Sequence, residues 1–94
     1  MSCDVLDKLE KVIRDRVAEA SPESYTYRLV SAGVPHVARK VGEEAVELAV
    51  AALAEDDKRV VEESADLLYH LLVLLHAKGL TLADVCEELR RRMK

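Results

Sequence analysis

The chain contains no phenylalanine, tryptophan, asparagine or glutamine, and its only aromatics are three tyrosines. Without large rings, a core must be filled by Leu, Val and Ala, the diet of a helix bundle. The missing Asn and Gln have two readings: a hot habitat that disfavours thermolabile residues, or a GC-rich codon bias that raises Ala, Arg and Val. Cysteine is scarce as well. Cys3 and Cys86 lie far apart, match no metal-ligand spacing, and two thiols build no disulfide framework. Cys86 reads as a small apolar packing residue. Apolar runs such as Leu71–Leu75 are far too short to span a bilayer. The N-terminus is charged from Asp4 onward and shows no signal peptide. The expectation is a soluble, cytoplasmic protein with no membrane partner.

Basic character is also lacking. Fourteen Lys and Arg face eighteen Asp and Glu, for a net charge of −4. That balance argues against nucleic acid as a partner. The one basic run, Arg90-Arg91-Arg92-Met93-Lys94, suits the C-terminal end of a last helix, where cations complement the dipole. Ninety-four residues make a single domain, 1–94, near the lower end of comfortable size. No stretch alternates as a strand would, and no internal repeat or low-complexity segment is present.

Helical periodicity is what remains. Val5, Leu6, Leu9, Val12, Ile13 and Val17 recur at three- and four-residue spacing, marking a helix over about 4–20. Ser21-Pro22-Glu23-Ser24 breaks it. A short segment, 24–32, ends at Gly33, and Pro35 suits the first turn of a third helix running to Ala54. Gly42 sits inside that helix at a cost of about 1 kcal/mol relative to Ala. It is either tolerated or placed where a backbone or ligand comes close. Residues 55–58 form a polar turn. A fourth helix, about 57–78, is apolar on nearly every face from Leu67 to Ala77. A helix of that kind must be covered all round, so part of its surface is expected to be buried by a second subunit. Gly79 ends it. Thr81 then caps the last helix, with Asp84 placed for a capping box. The predicted fold is all-α: an antiparallel bundle of about five helices with a four-helix-type core, completed by dimerisation.

Two acidic clusters interrupt this apolar pattern: Glu43, Glu44 and Glu47 on the third helix, and Glu63 and Asp66 on the fourth. Spacings of three and four put the members of each cluster, with Lys40, on one broad helical face. Folding at the 55–58 turn, Glu47 and Glu63 stand ~13 Å and ~10 Å from its centre, and Glu44 and Asp66 ~18 Å and ~15 Å. The clusters therefore meet at similar heights. Carboxylates brought together away from water need a positive partner. An oxygen-only set selects a hard cation, Mg²⁺ or Mn²⁺. A di-iron bundle would want Glu-x-x-His pairs, but Gly33, Leu67 and Val73 precede His36, His70 and His76 by three. Gly33 and Gly42 do not make a Walker spacing either. The plainer alternative is a solvated acidic face on a helical interaction module.

Lys40-Val41-Gly42-Glu43-Glu44-Ala45-Val46-Glu47 and Glu63-Ser64-Ala65-Asp66-Leu67-Leu68-Tyr69-His70 resemble the motifs of the phosphoribosyl-ATP pyrophosphohydrolases of histidine biosynthesis. Ser24-Tyr25-Thr26 with Leu29 and Gly33, and the closing run from Gly79 to Val85, are similar to that family too. The paired acidic motifs alone mark only the wider all-α nucleotide pyrophosphohydrolases, whose house-cleaning members act on ordinary or damaged NTPs. The resemblance implies Mg²⁺-dependent hydrolysis of 1-(5-phosphoribosyl)-ATP to 1-(5-phosphoribosyl)-AMP and pyrophosphate. It also implies a homodimer, or a dimer of dimers, with active sites near the subunit interface. On this basis Glu44, Glu47, Glu63 and Asp66 are the candidate metal ligands. Glu43 is either a catalytic base, a ligand of a second metal, or an exposed partner of Lys40 or Arg39. Lys40 and Arg39 are candidates for the substrate's phosphates, with Lys40 favoured by its face. Ser24, Tyr25, Thr26 and Arg28 are candidates for substrate contact. His70 either orients a ligand carboxylate from behind or is a buried structural histidine.

Overall fold

Each helix begins and ends for a local reason. The structure, a computed structural model, describes residues 4–93. Cys3 and Lys94, with the roles read for them, lie outside the described residues. Helix α1 spans Asp4–Glu19, and Ala20 stops it in the left-handed conformation at φ 56°. Helix α2, Tyr25–Ser31, starts at Ser24, whose hydroxyl accepts the Tyr27 N–H. Helix α3, Val34–Ala54, follows Gly33, whose φ of 99° is open only to glycine. Pro35 in its first turn loses no helical hydrogen bond. Helix α4, Asp57–Ala77, starts at Asp56, which accepts the Arg59 N–H at 3.0 Å. It closes in a Schellman turn. Gly79 adopts φ 74°, its N–H donates to the His76 carbonyl at 3.0 Å, and the Leu80 N–H donates to Leu75 at 2.8 Å. Helix α5, Leu82–Arg92, opens with the expected Thr81–Asp84 capping box.

The fold is all-α, with five helices and no strand among the described residues. The α3–α4 hairpin is its main packed pair, and α1 and α2 lie against it. Ile13 of α1, Leu29 of α2, Val37 of α3 and Leu72 and Val73 of α4 form one buried cluster. Along α3 the buried residues are Val37, Glu44 and Ala51, spaced by seven. That spacing makes a single row facing the bundle, because seven residues are close to two helical turns. Glu44 thus sits in the row that builds the core, and α4 supplies buried Glu63 and His70 from its own packed side. Helix α5 turns 107° away from α4. It is tied back by the Leu82 N–H, which donates to Glu10 Oε2 at 2.7 Å. No single described helix is long and apolar enough to cross a membrane. Cys86 is a half-buried free thiol, and Arg90, Arg91 and Arg92 pair with Glu87 and Glu88 one turn earlier on α5.

Candidate metal centre

Glu44 from α3 and Glu63 and Asp66 from α4 each offer a carboxylate oxygen to one group, all within 4.8 Å of one another. Glu44 and Glu63 are buried and Asp66 is exposed, so the group is closed on the core side and open on the other. Such a set of oxygens matches a hard divalent cation. The donor set also fits one on a second ground. Oε1 of Glu63 is buried and has no hydrogen-bond partner, although a buried charged oxygen is costly unless something satisfies it. Glu47 lies outside this three-carboxylate group. It is exposed, and its charge acts on Glu44. Glu43 is also exposed and pairs with Lys40 Nζ at 3.5 Å and Arg39 Nε at 3.7 Å.

Burial is the main cause that pushes the Glu44 carboxyl above its usual pKa. The neighbouring Glu47 and Asp66 charges add to it, and His70 opposes them. The metal-free fold therefore holds a proton on Glu44 more tightly than the unfolded chain does. Stability from that proton is present at low pH and is lost as pH rises through the folded value. A cation needs the deprotonated carboxylate, so it competes with this proton. Mn²⁺ affinity, followed by electron paramagnetic resonance, is expected to rise with pH through the region just above the ordinary carboxylate range and then level off. A flat profile there would contradict the competition.

Around the carboxylates, α2 is fastened to α4. Tyr25 donates its hydroxyl to His70 Nε2 at 2.9 Å, because His70 Nδ1 is committed as donor to the Asp66 carbonyl at 2.7 Å. His70 therefore holds the backbone of Asp66, not its carboxylate. Thr26, buried, shares a hydrogen bond with the Tyr69 hydroxyl at 2.5 Å. Burial raises the Tyr69 pKa, and that bond opposes the rise. The Tyr25 and Tyr69 rings stack with centroids 6.2 Å apart. Ser24 is occupied as the α2 cap, and Arg28 donates to the Pro22 carbonyl at 2.9 Å. Of the segment's four candidates, Tyr25 is the one that is exposed and also near the charged groups. Tyr25, followed by Glu43 and Glu44, raises the Lys40 pKa above the usual lysine value. Lys40 is thereby held cationic beside the carboxylates. Arg39 is more exposed than Lys40 and contacts His36 Nδ1 at 3.3 Å.

Arg39, Gly42, Glu43, Val46 and Glu47 line an open hollow on the outer side of α3. A methyl group added at Gly42 would meet nothing within 4 Å, so the glycine keeps that surface flat. Arg59 is a further charged residue at the group, and periodicity did not single it out. Its guanidinium reaches Glu63. The signal was available as acidic residues at −4, +3 and +4 from one arginine.

The family model for phosphoribosyl-ATP pyrophosphohydrolase matches residues 6–93. Proteins named phosphoribosyl-ATP pyrophosphatase from Pyrobaculum calidifontis and Pyrobaculum aerophilum are each 72% identical over 94 residues, the whole of both chains. One of the same name from Metallosphaera sedula is 56% identical over 91 residues, which is 97% of this chain and 98% of the other.

Proposed function

Because the chain belongs to the phosphoribosyl-ATP pyrophosphohydrolase family, we propose that it hydrolyses 1-(5-phosphoribosyl)-ATP to 1-(5-phosphoribosyl)-AMP and pyrophosphate. Water adds at the anhydride between the α and β phosphates, and pyrophosphate leaves. In this reading the chain is one cytoplasmic domain, 1–94, that works with Mg²⁺ or Mn²⁺. The observation that carries it is the three-carboxylate group with the unpartnered Glu63 Oε1, set beside a cationic Lys40.

Glu44, Glu63 and Asp66 are the residues that would hold the cation, with Glu47 as the next carboxylate along α3. When bound, the cation supplies charge neutralisation for the phosphate oxygens and a more acidic water. The chain's own groups do the rest. Lys40 offers a point charge to a phosphate oxygen, on the same side as the carboxylates. The Lys40 contact leaves Glu43 close to the reacting phosphates, where its carboxylate accepts the proton of the attacking water. Tyr25, its hydroxyl proton given to His70, presents its ring toward the ribose from a helix that the Tyr25–His70 and Thr26–Tyr69 bonds keep in place. His70, bonded through one nitrogen to the Asp66 carbonyl of its own helix and through the other to Tyr25, ties α2 to the turn of α4 that carries Asp66.

The assembly is a homodimer in the same reading. Val46, Val50 and Leu53 form an exposed apolar row on α3, with Leu53 89% exposed. Val46 is two residues from Glu44 and Leu53 two from Ala51, so both lie about 200° round the helix from the buried row. Helix α3 is thus apolar on opposite sides, and only one side is covered within the chain. The radius of gyration is 14.2 Å, against about 12 Å for a closed globule of this length.

The deciding experiment measures pyrophosphate release from phosphoribosyl-ATP against a panel of ordinary NTPs, with and without Mg²⁺. Release from phosphoribosyl-ATP alone, and only with metal, is expected. Release from dUTP or another NTP but not from phosphoribosyl-ATP would move the chain to the house-cleaning branch.

A further inference from the structure

Glu63 is treated differently at its two oxygens. Oε1 is buried with no hydrogen-bond partner, while Oε2 accepts Arg59 Nη2 at 2.5 Å. Arg59 lies one turn before Glu63 on α4, with its side chain about half exposed. The same guanidinium donates from Nε to Glu55 at 3.2 Å and from Nη1 to Glu62 at 2.6 Å. Its backbone N–H, in turn, is the one that Asp56 caps. With Val46, Glu47 and Val50 of α3, Glu55, Arg59 and Glu63 line a cleft of about 140 Å³ beside the three-carboxylate group.

We propose that Arg59 is a positioning residue for the metal centre: it clamps Oε2 of Glu63 so that Oε1 stands ready for the cation. The inference rests on the metal-dependent reading above and extends it to a residue outside the ligand set. A glutamate side chain has three rotatable bonds, and fixing them costs entropy whenever a ligand must order them. Here the order exists before the cation arrives, because Arg59 fixes one oxygen and burial limits the rest. Arginine suits the task, since its rigid fork holds several carboxylates at once. Sharing also answers the objection that a guanidinium would repel a divalent cation. Its positive charge is spread over Glu55 and Glu62 as well as Glu63, and those two lie outside the three-carboxylate group. Ligand carboxylates held in this way by outer groups bind metals more tightly than unsupported ones.

Mn²⁺ titrations read by electron paramagnetic resonance test the proposal on purified protein, with helicity and melting temperature measured on the same metal-free samples. Arg59→Ala is expected to weaken Mn²⁺ binding about 10- to 100-fold. Arg59→Lys, which keeps the charge and one contact, should recover part of that loss and also serves if the alanine variant does not fold. Glu62→Gln removes a partner of Arg59 but leaves the Glu63 clamp, and should bind Mn²⁺ within about twofold of wild type. Equal Mn²⁺ affinity in Arg59→Ala and wild type would overturn the proposal. Tighter binding in Arg59→Ala would overturn it too, by showing that Arg59 competes with the cation. Wild-type protein that binds no Mn²⁺ would sink the metal centre itself and the Arg59 role with it.

Discussion

Glu44→Gln is expected to cut cation-dependent pyrophosphate release at least about 100-fold, since changes outside the ligand set already cost 10- to 100-fold. The same substitution should leave the metal-free protein as stable as wild type or more so. These opposite effects have one origin. Glu44 stands in the α3 row that packs into the bundle, and burial with the Glu47 and Asp66 charges disfavours its carboxylate form. Glutamine keeps the shape and removes the charge, so the metal-free fold loses a liability. With cation present the order should reverse. Wild type gains stability by mass action, about 2.7 kcal/mol at a hundred times the dissociation constant, and the variant does not. Melting curves with EDTA and with Mg²⁺, beside the release assay, read both effects. A variant that melts lower in EDTA yet keeps full activity would make Glu44 a structural residue.

The hairpin was legible from the sequence, and so was the meeting of its acidic clusters. Helical rise and a short turn, Glu55-Asp56 in the structure, set the heights of residues on antiparallel neighbours, and α3 and α4 bring Glu44, Glu63 and Asp66 together. Height is only one coordinate, however. Direction round the helix decides which carboxylates turn inward, and it follows from the buried row Val37–Glu44–Ala51. Glu47 is three residues beyond Glu44, about 60° round from that row, and emerges at the rim. The α2 contacts were harder to foresee. Ser24 as a cap follows from local spacing, but the Thr26–Tyr69 and Tyr25–His70 bonds join residues more than forty positions apart. Only tertiary packing brings those pairs together. The direction of α5 was likewise hidden. Gly79 marks a stop, whereas the 107° departure depends on the Schellman turn and the Glu10 tether.

Leu53→Lys is expected to separate the protein into monomers. In the single chain this side chain is nearly all in solvent, where a substitution ordinarily changes stability by no more than about 0.5 kcal/mol. A lysine there also lies in the last turn of α3, where a cation suits the helix dipole. The fold of one chain therefore gives no reason for harm. If a second copy covers the α3 row, the two-fold places the change on both sides of the interface. Losing burial of a leucine costs about 1.5–3 kcal/mol, so two cost about 3–6 kcal/mol. That is a 10²- to 10⁴-fold weaker dimer at about 1.4 kcal/mol per tenfold. Light scattering after size exclusion should show the mass halve, while helicity is kept. A wild-type protein already monomeric at working concentration, or a variant with unchanged mass, would remove the homodimer. Activity should fall with the mass, and the reason is geometric. The hollow formed by Arg39, Gly42, Glu43, Val46 and Glu47 joins the candidate phosphate and metal residues to the first valine of the apolar row. In the monomer that hollow is open to solvent. A second copy seated on the row would wall it, excluding water from the side where the carboxylates are least protected. Charge interactions with phosphate gain strength in such an enclosed site.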